Sequence, residues 1–550
     1  MLNYNIIISM ITTKEIIIAS LNEALEKLEI KKPITLTEPK SYGDYSTNLA
    51  LTLQKELGKP AIEIAKEIVN AIDLKKHKEI VKVEVANPGF INFWVSNSVL
   101  SDLVNSINSL EDHYGDMSKE GKGAVNIEFV SANPTGFLHI GHARNAAIGA
   151  TLCNVLEKAG HRVVREYYVN DYGNQMNNLA ASVFSRYQQI FNKDFPMPDD
   201  AYKGHDMTIF ADAFFKKYGD KYRNVAYTEE VKKLFRDFGR EIALENIKID
   251  LGRFGVWFDL YTSETQQYEK DRVWPVIRRL KSTYEKDGAT WLNTTKGGND
   301  DKDRVIIKGN GESTYMCADI AYHEQKFVEL HDPEKGKIID IWGADHSGYV
   351  ERIKFSFEDL GWRRDQIEIL LFQLLRVVKN GKEIKMSKRL GTSLTLRELL
   401  DLVGKDAVRY FLIERSYNSK IDFDINKVQK SDETNPLFLI KYAHARCYQL
   451  LEKAQIKNPI ASNLENDFAQ KLTNELKEYP NLIDTMAKTY KVNLLPPYLL
   501  KLAGAFNSFY SNVRISGDPN EQSYLALVKA TKIVLANAMK LMDLDIPNKM

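Results

Sequence analysis

The chain has 550 residues, of which 44% are hydrophobic and 27% are charged, a composition ordinary for a soluble globular protein of roughly three or four domains. The 75 lysines and arginines nearly balance the 74 aspartates and glutamates. A net charge of +1 excludes a strongly basic chain whose composition alone would indicate nucleic-acid binding.

The cysteines and the apolar N-terminus indicate the cellular compartment of the protein and the kinds of site it can contain. Cys153, Cys317 and Cys447 are far apart and form no CxxC pair, so we predict neither a structural zinc site nor a disulfide framework. Lys14 and Glu15 interrupt the apolar start, which argues against a signal peptide or a membrane span. We therefore expect a cytoplasmic protein with reduced thiols and no membrane partner.

The first half of the chain predicts two α/β units. Within residues 1–110, "TKEIIIASLNEALEKLEI" has helical periodicity, and "VKVEVANPGFINFWV" predicts two strands around an Asn-Pro-Gly turn. After residue 123, a buried strand "AVNIEFVS" is followed by the helix "GHARNAAIGATLCNVLEKAG", which Gly160 ends, and by the strand "HRVVREYYV". This βαβ order predicts a parallel sheet with a right-handed crossover.

The second half continues that sheet and then becomes helical. Residues 175–300, charged and aromatic with many short helical patterns, predict an insertion. A strand and a helix resume in "KIIDIWGADHSGYVERIKFSFEDLG", and "IEILLFQLLRVV" is strand-like. Asn380-Gly381 predicts a hairpin turn, and Thr395 with Glu398 predicts a helix capping box. From about residue 430 the pattern is helical, with an apolar stripe made of Leu527, Val528, Val534, Leu535, Leu541 and Met542.

These elements predict an α/β fold in three domains. A small α/β domain covers residues 1–110, a Rossmann-like parallel-sheet domain covers 111–429 with its main insertion at 175–300, and an all-α bundle covers 430–550.

The stretch "SANPTGFLHIGHARNAAIGA" lies where ligands bind in such a fold. It follows a buried strand and opens a helix, whose N-terminal N–H groups and dipole favour phosphate. Gly136 and Gly141 would let a nucleotide approach the backbone. His139 and His142, three residues apart in the first turn, could both donate to one phosphate. Taken alone, H-x-x-H favours two incidental histidines near a helix start, or metal binding, over a phosphate site.

A second basic element makes the phosphate interpretation more specific. "KMSKR" follows the predicted hairpin, and its Lys385, Lys388 and Arg389 could neutralise the outer phosphates of ATP. A basic pentapeptide alone is usually a solvated loop. The ordered pair of elements on two halves of one α/β domain is far more specific than either one.

Together "HIGH" at 139–142 and "KMSKR" at 385–389 resemble the two ATP-binding motifs of class I aminoacyl-tRNA synthetases, with Arg389 where many members have serine. The chain resembles arginyl-tRNA synthetases in particular, over nearly its whole length and in order. The segments that carry this resemblance are "GDYSTN", "NPGFINF", "IEFVSANPTGFLHIGHAR", "EYYVNDYGNQ", "WGADHSGY", "DAVRYFL", "NPLFLIKYAHAR" and the final "IPNKM".

The resemblance implies an arginine–tRNA ligase that makes arginyl-adenylate from ATP and L-arginine and transfers arginine to tRNA(Arg), releasing AMP and pyrophosphate. It also implies Mg²⁺ bound with ATP, and a monomer. The N-terminal domain would contact the tRNA elbow, and the C-terminal bundle would bind the anticodon. A guanidinium is planar and always charged, so a site that selects it should contain carboxylates.

The resemblance implies a role for each residue that matches a motif position. Catalytic roles fall to His139, His142, Lys385 and Lys388. Contacts to ATP fall to Pro134, Gly136, His139, Gly141, His142, His346, Met386, Ser387 and Lys388. Contacts to arginine fall to Glu128, Ser131, Asn133, His139, Tyr315, Asp319 and Asp345, with Tyr172 and Gln175 facing the pocket. Contacts to tRNA fall to Asn87, Phe90, Tyr442, Tyr498 and Met550, with Phe509 and Tyr510 as further candidates. The tRNA candidates of the C-terminal helices are chosen as aromatic or apolar platforms for bases, although each aromatic taken alone is expected to be a core residue.

Three other functions are considered. A cysteinyl enzyme of the same class would need zinc ligands, which are missing, and a glutamyl enzyme should have a basic amino-acid pocket. A nucleotidyltransferase acting on a small molecule shares the His-x-Gly-His motif but is generally much shorter. A non-catalytic RNA-binding relative would not need the intact histidines and lysines.

Overall fold

The computed structural model describes residues 13–373 except 38, 40, 41 and 299, then residues 375–383 and 394–550. Lys385, Met386, Ser387, Lys388 and Arg389 of the second basic element lie outside these ranges. No helix among the described residues is both long and apolar enough to cross a membrane.

The N-terminal unit is a small antiparallel sheet covered by helices. Its elements are α1 (Thr13–Lys27), β1 (Tyr45–Thr47), α2 (Leu49–Leu57), α3 (Ala61–Ala71), β2 (Ile80–Ala86) and β3 (Phe90–Val95). Strands β1 and β2 both pair with β3, and the predicted Asn-Pro-Gly turn joins β2 to β3. Alternating apolar residues bury one face of the sheet, with Ile91 and Phe93 against Ile64 and Ile68 of α3.

The predicted βαβ unit is confirmed. The next elements are α4 (Asn97–Leu110), β4 (Ala124–Glu128), α5 (Ile140–Lys158), β5 (Arg162–Val169), α6 (Asn174–Gln189), α7 (His205–Tyr218), α8 (Glu229–Arg253) and β6 (Leu260–Ser263). Strands β4 and β5 pair in parallel, and α5 is the crossover between them. Every residue of β4 is buried because helices cover both faces of the sheet at this strand.

A second α/β half completes the sheet. It comprises α9 (Glu264–Glu269), α10 (Val273–Ile277), β7 (Thr283–Lys286), β8 (Ala289–Leu292), β9 (Arg304–Ile307), α11 (Tyr315–Glu329), β10 (Lys337–Gly343), α12 (Ser347–Asp359), β11 (Ile367–Phe372), β12 (Leu375–Lys379), β13 (Lys382–Glu383), α13 (Leu396–Val403), α14 (Lys405–Ile413), β14 (Ile421–Asp424) and α15 (Ile425–Val428). The parallel sheet has the order β11-β10-β4-β5-β6. The strand order reverses at β4, so a ligand crevice forms where β4 and β10 end.

The local turn predictions in this half are also confirmed. Strands β12 and β13 form the hairpin, with Asn380 and Gly381 at positive φ, as a type I′ turn requires. Thr395 and Glu398 form the capping box of α13. The strand-like run "IEILLFQLLRVV" divides into β11, in the central sheet, and β12, which pairs with β14 in a separate sheet.

The segment 175–300 differs from a pure insertion of short helices. It contains β6, which pairs in parallel with β5 and forms an edge of the central sheet. Three of its helices are long, and α8 has 25 residues. Its aromatic residues form a core of their own, in which Phe214 stacks on Phe235 at 4.0 Å. These contacts join distant parts of the segment, so local periodicity did not reveal them.

The C-terminal bundle is confirmed. It comprises α16 (Pro436–Lys453), α17 (Asp467–Thr489), α18 (Leu495–Asn512) and α19 (Glu521–Leu541). All six residues of the predicted apolar stripe are buried. Asn435 caps α16 and Pro436 occupies its first turn, where a missing N–H costs nothing.

Helix α4 belongs structurally with this bundle, although it lies within the predicted N-terminal domain of residues 1–110. Val104 and Ile107 are fully buried in the core that includes the C-terminal helices. The side chain of Asn108 donates to the carbonyl oxygen of Ala526 at 2.9 Å. The N-terminal unit therefore ends at β3, and α4 packs against the end of the chain.

Candidate active site

The turn after β4 is strained and held by side chains. Val130 and Ser131 have φ of 67° and 38°, which is unusual for residues with a Cβ, and for a β-branched valine above all. The Ser131 hydroxyl donates to Glu128 Oε1 at 2.9 Å and accepts from the Tyr168 N–H at 3.1 Å. Asn145 Oδ1 accepts from the Val130 N–H at 2.9 Å. Such strain persists only where neighbours enforce it, which is typical of binding sites.

The two predicted histidines meet at the start of α5. Their rings stack with centroids 3.7 Å apart. His139 is the N-cap residue, and its Nδ1 accepts from the Gly141 N–H at 3.1 Å. His142 Nδ1 accepts from the His139 N–H at 3.2 Å. Because each Nδ1 accepts a backbone hydrogen, a neutral ring must carry its proton on Nε2, and both histidines become donors at the N-terminus of a helix.

Contacts within the protein explain why Gly136 and Gly141 are glycines, whereas the sequence suggested that they make room for a nucleotide. A Cβ at Gly136 would lie 2.2 Å from Asp206 Oδ2, and a Cβ at Gly141 would lie 2.9 Å from the His139 ring. Protein side chains therefore fill the space that glycine leaves at both positions. Contact between these residues and ATP stays a prediction, as it does for Pro134, which is buried in the loop.

A buried lysine lies beneath the predicted arginine site. Lys326 Nζ, on α11, forms ion pairs with Glu128 Oε2 at 2.7 Å and Asp340 Oδ1 at 2.5 Å. His323 Nε2 lies 2.8 Å from Asp340 Oδ2. The lysine is fully buried, and although burial lowers its pKa, the charges of Asp340, Glu128 and Glu166 outweigh this effect and raise the pKa above its usual value. Glu128 thus lines the crevice with its charge already compensated.

Asp319 and Glu264 are two acidic groups of the crevice whose surroundings disfavour their negative charge. Burial raises the pKa of the Asp319 carboxyl group, with Glu128 adding to the effect, while His323 and the Tyr349 hydroxyl oppose it. Tyr349 donates to Asp319 Oδ2 at 2.8 Å. Burial, followed by the charges of Asp319 and Asp171, raises the pKa of Glu264 to about 7. A cation placed here would stabilise the charged form of both carboxylates.

Sequence reasoning missed Lys326, His323, Tyr349 and Glu264. One signal was available for two of them, because Asp319, His323 and Lys326 follow each other at i, i+4 and i+7 on α11, which places them on one helix face. No local pattern marked Tyr349, which reaches Asp319 from α12.

The other predicted pocket residues lie around the mouth of the crevice. Tyr315 is 68% exposed at the start of α11, with its ring 6.0 Å from that of Tyr349. Asp345 and His346 are exposed in the turn between β10 and α12. Asn133 donates to Gln175 Oε1 at 2.5 Å, which brings two predicted residues together. The remaining one, Tyr172, is half exposed and stacks on Tyr268 at 4.9 Å.

Two of the predicted tRNA contacts are wrong as surface residues. Tyr498 stacks on Tyr479, its hydroxyl donates to the Glu475 carbonyl oxygen at 3.1 Å, and it belongs to the bundle core. Phe509 is fully buried in the same core. Apolar packing between the helices holds both rings, so neither one can stack on an RNA base.

Two other candidates, Tyr442 and Tyr510, belong to a partly exposed group of stacked side chains on the bundle. Phe438 and Tyr442 are nearly parallel, with an angle of 9° between rings 5.8 Å apart. The Arg446 guanidinium lies 4.4 Å from the Tyr442 ring centroid and 4.6 Å from that of Tyr510. We call Phe438, Tyr442, Arg446 and Tyr510 the aromatic–arginine surface. Met550 is also exposed, as are Asn87 and Phe90 in the turn of the N-terminal sheet.

The described residues offer no group of three His, Cys, Asp or Glu side chains placed to hold a metal ion. Cys153, Cys317 and Cys447 are buried free thiols, and burial raises the pKa of each one. They are therefore inert packing residues.

Three family models together match most of the chain. The arginyl tRNA synthetase N terminal domain matches residues 12–95, the catalytic domain of class I (R) tRNA synthetases matches 104–449, and the DALR anticodon binding domain matches 440–550. The arginine–tRNA ligase of Mycoplasma mobile is 44% identical over 540 residues, which covers 98% of this chain and 99% of that protein. The Bacillus subtilis arginine–tRNA ligase is 40% identical over 93% of each chain.

Solved structures agree with this assignment. A putative arginyl-tRNA synthetase from Campylobacter jejuni has a TM-score of 0.76 at 33% identity, covering 83% of this chain and 100% of its own. The Thermus thermophilus arginyl-tRNA synthetase has a TM-score of 0.74 at 20% identity, covering 98% of this chain and 100% of its own, and shares the fold. With family models along its length and relatives at 40–44% identity, this chain belongs to the arginyl-tRNA synthetase family of class I aminoacyl-tRNA synthetases.

Proposed function

We propose that this enzyme, which attaches arginine to tRNA(Arg) at the expense of ATP, activates arginine in the crevice between β4 and β10. The arginine carboxylate attacks the α-phosphorus of ATP in line, and pyrophosphate leaves. The terminal ribose hydroxyl of tRNA then attacks the carbonyl carbon of arginyl-adenylate, and AMP leaves. No protein nucleophile takes part, because positioning and electrostatic stabilisation supply the rate.

The observation that carries this mechanism is the orientation of His139 and His142. Both Nδ1 atoms accept backbone hydrogens, so both Nε2 atoms are donors at the N-terminal end of α5. Negative charge grows on the α-phosphate as phosphorus becomes five-coordinate, and preorganised donors stabilise that charge without reorganising. The helix dipole acts in the same direction. In this proposal Lys385 and Lys388 neutralise the leaving pyrophosphate, with Met386 and Ser387 against the nucleotide.

The acidic crevice gives the site its preference for a guanidinium. Asp319 accepts from the planar fork of donors, and Tyr315 covers it. Glu128, held by Lys326, supplies a second oxygen, and Ser131, Asn133 and Asp345 bind the amino and carboxylate ends. Because a substrate without the guanidinium would leave a buried carboxylate unpaired, discrimination of ~10⁴-fold needs no editing site.

Mg²⁺ enters this scheme with ATP, held by phosphate oxygens and water as is usual for this ion. Bound there, the ion would neutralise phosphate charge. His346, at the mouth of the crevice, contacts the adenosine side of the nucleotide.

ATP–pyrophosphate exchange tests the proposal. We expect exchange with arginine and with no other standard amino acid, in the presence of tRNA. Exchange with another amino acid would keep the mechanism and overturn the pocket. Absence of exchange by folded protein, with or without tRNA, would refute the proposed function.

The tRNA is held at three places in this proposal. The N-terminal unit, which ends at β3 and includes Asn87 and Phe90, contacts the elbow. Domain 111–429 receives the acceptor end, and domain 430–550 binds the anticodon. One copy of the chain suffices, so the enzyme acts as a monomer. Met550 lies at the edge of the anticodon site.

We expect Tyr442→Ala to raise the KM for tRNA(Arg) by roughly 10- to 100-fold, because stacking of a base on an aromatic ring contributes about 1–3 kcal/mol. The KM for arginine should not change. Tyr448→Ala is the matched control, because Tyr448 is a partly exposed tyrosine on the same helix that lies near Lys532 instead. Steady-state aminoacylation measures both variants, and an equal effect of the two would contradict a stacking role for Tyr442.

The acidic crevice also predicts a pH dependence. Since the pKa of Glu264 is raised to about 7, this group is largely protonated, and therefore neutral, below pH 7. The guanidinium of arginine stays charged at these pH values, so it loses the electrostatic attraction of Glu264. We expect kcat/KM for arginine to fall from pH 8 to pH 6 and the fall to be shallower in Glu264→Gln. Parallel assays that vary ATP serve as the control. If kcat/KM for arginine falls as steeply with pH in Glu264→Gln as in the wild type, the prediction is contradicted.

A further inference from the structure

We propose that Arg397 is a positioning residue for adenylate formation, which fixes the Phe137–His139 turn and thereby the two histidines. This inference rests on the proposed function of His139 and His142. Arg397 lies in the first turn of α13, distant in sequence from both the turn it contacts and the helix to which it is anchored.

The contact with the turn is a cation–π interaction. The Arg397 guanidinium carbon lies 3.6 Å from the centroid of the Phe137 ring, so the two planes are in van der Waals contact. Phe137 is two residues before His139 and is buried, and its ring also packs edge-on against Phe210 of α7, with 5.8 Å between the ring centroids. A buried ring in contact with a guanidinium and with a second ring has little freedom to move.

The guanidinium is itself fixed by three acceptors on α8. Arg397 Nε donates to Asp250 Oδ1 at 3.0 Å, and Nη2 donates to Asp250 Oδ2 at 3.1 Å, which is the bidentate geometry of strong arginine–carboxylate pairs. Nη2 also donates to Asn246 Oδ1 at 2.9 Å. The Asp250 side chain is 1% exposed, so removal of Arg397 would leave a buried carboxylate without its arginine partner.

Backbone contacts place the same turn against the residues around Arg397. The Leu396 N–H donates to the Leu138 carbonyl oxygen at 2.7 Å, and Thr395 pairs with His139 in an isolated β-bridge. From α7, Asp206 Oδ2 accepts from the Phe137 N–H at 3.3 Å. The turn is therefore bound by α13 on one side and by the helices of residues 175–300 on the other, and the Arg397 side chain contacts both α8 and the turn.

This arrangement explains why a residue outside both motifs should affect chemistry. The histidine Nε2 atoms must lie within hydrogen-bond distance of the α-phosphate oxygens in the transition state, and a displacement of about 1 Å can cost 10²-fold in rate. Loosening the turn moves both donors. It leaves Asp319 and Tyr349 in place, since these belong to α11 and α12.

The test measures kcat of ATP–pyrophosphate exchange and the KM for arginine in four variants, with tRNA present and at a temperature well below unfolding. We expect Arg397→Ala to lower kcat by about 10²-fold with the arginine KM unchanged. Arg397→Lys should recover part of the rate, because it keeps the charge without the bidentate pair. Phe137→Leu, which keeps the apolar packing without the aromatic face, should lower kcat while Asp250 stays paired. Arg376→Ala is the control, because it breaks another bidentate arginine–aspartate pair, which joins β12 to β14 through Asp422 and involves no residue of the turn.

Three results would overturn the inference. The first is a wild-type kcat in both Arg397→Ala and Phe137→Leu. The second is an equal loss in Arg376→Ala, which would indicate a general effect of removing such pairs. The third is a rise of the arginine KM in proportion to the loss of kcat, which would indicate collapse of the whole crevice. Absence of exchange by the wild-type enzyme would refute the proposed function, and this inference with it.

Discussion

Replacing His142 with alanine is expected to slow arginine activation by about 10²- to 10³-fold, the usual effect of removing one preorganised donor to a developing negative charge. The KM for arginine should change little, because the Nε2 donor is used in the transition state and not in binding the guanidinium. Single-turnover formation of arginyl-adenylate measures the chemical step without interference from tRNA release.

Two further variants separate the roles of the two ring nitrogens. His142→Asn can keep the acceptor that caps the His139 N–H, but it has no donor at the position of Nε2. His142→Gln extends an amide N–H to about that position. We expect the asparagine variant to fold with near-normal stability and react as slowly as the alanine variant, and the glutamine variant to recover part of the rate. If the asparagine variant reacts at the wild-type rate, His142 serves only as a helix cap.

The parts of the fold that could be predicted from the sequence are those determined by patterns among neighbouring residues. The unit β4–α5–β5 follows from a buried strand, a helix with a glycine stop and a second strand. The hairpin at Asn380-Gly381 follows from turn chemistry. The four-residue strand β6 could not be predicted in the same way, because its burial pattern is too short to define a period and its place in the sheet depends on pairing with β5.

The site shows the same limit. Motif residues such as His139 and His142 could be named from the loop between strand and helix, together with the family resemblance. Lys326 and Arg397 could not, because their partners Glu128 and Asp250 are brought to them only by tertiary contacts. Tyr498 and Tyr442 are both tyrosines in amphipathic helices, and only the packing of the bundle shows that the first is core and the second is partly exposed.

The charge of Asp319 is expected to carry most of the selection for arginine. In Asp319→Asn the amide keeps the shape of the side chain, but a buried guanidinium loses its counter-charge, which typically costs roughly 3–5 kcal/mol. We expect the KM for arginine to rise by about 10²- to 10³-fold, since 1.4 kcal/mol corresponds to a tenfold change. The KM for ATP should stay within about twofold. Exchange assays that vary one substrate at a time provide both values.

Comparison with Glu128→Gln and Tyr349→Phe tests whether Asp319 acts through its charge. Glu128 is already paired with the buried Lys326, so its neutralisation should unbalance that pair and lower stability as well as arginine affinity. Tyr349→Phe removes only the hydroxyl that donates to Asp319, and since that hydrogen bond favours the ionised carboxyl group, we expect an effect of about tenfold or less. The expected order of arginine KM is therefore wild type, Tyr349→Phe and then Asp319→Asn. If Asp319→Asn binds arginine as tightly as Tyr349→Phe does, selection for the guanidinium rests on other carboxylates. Glu264 is then the first candidate, because its pKa is raised in part by the charge of Asp319.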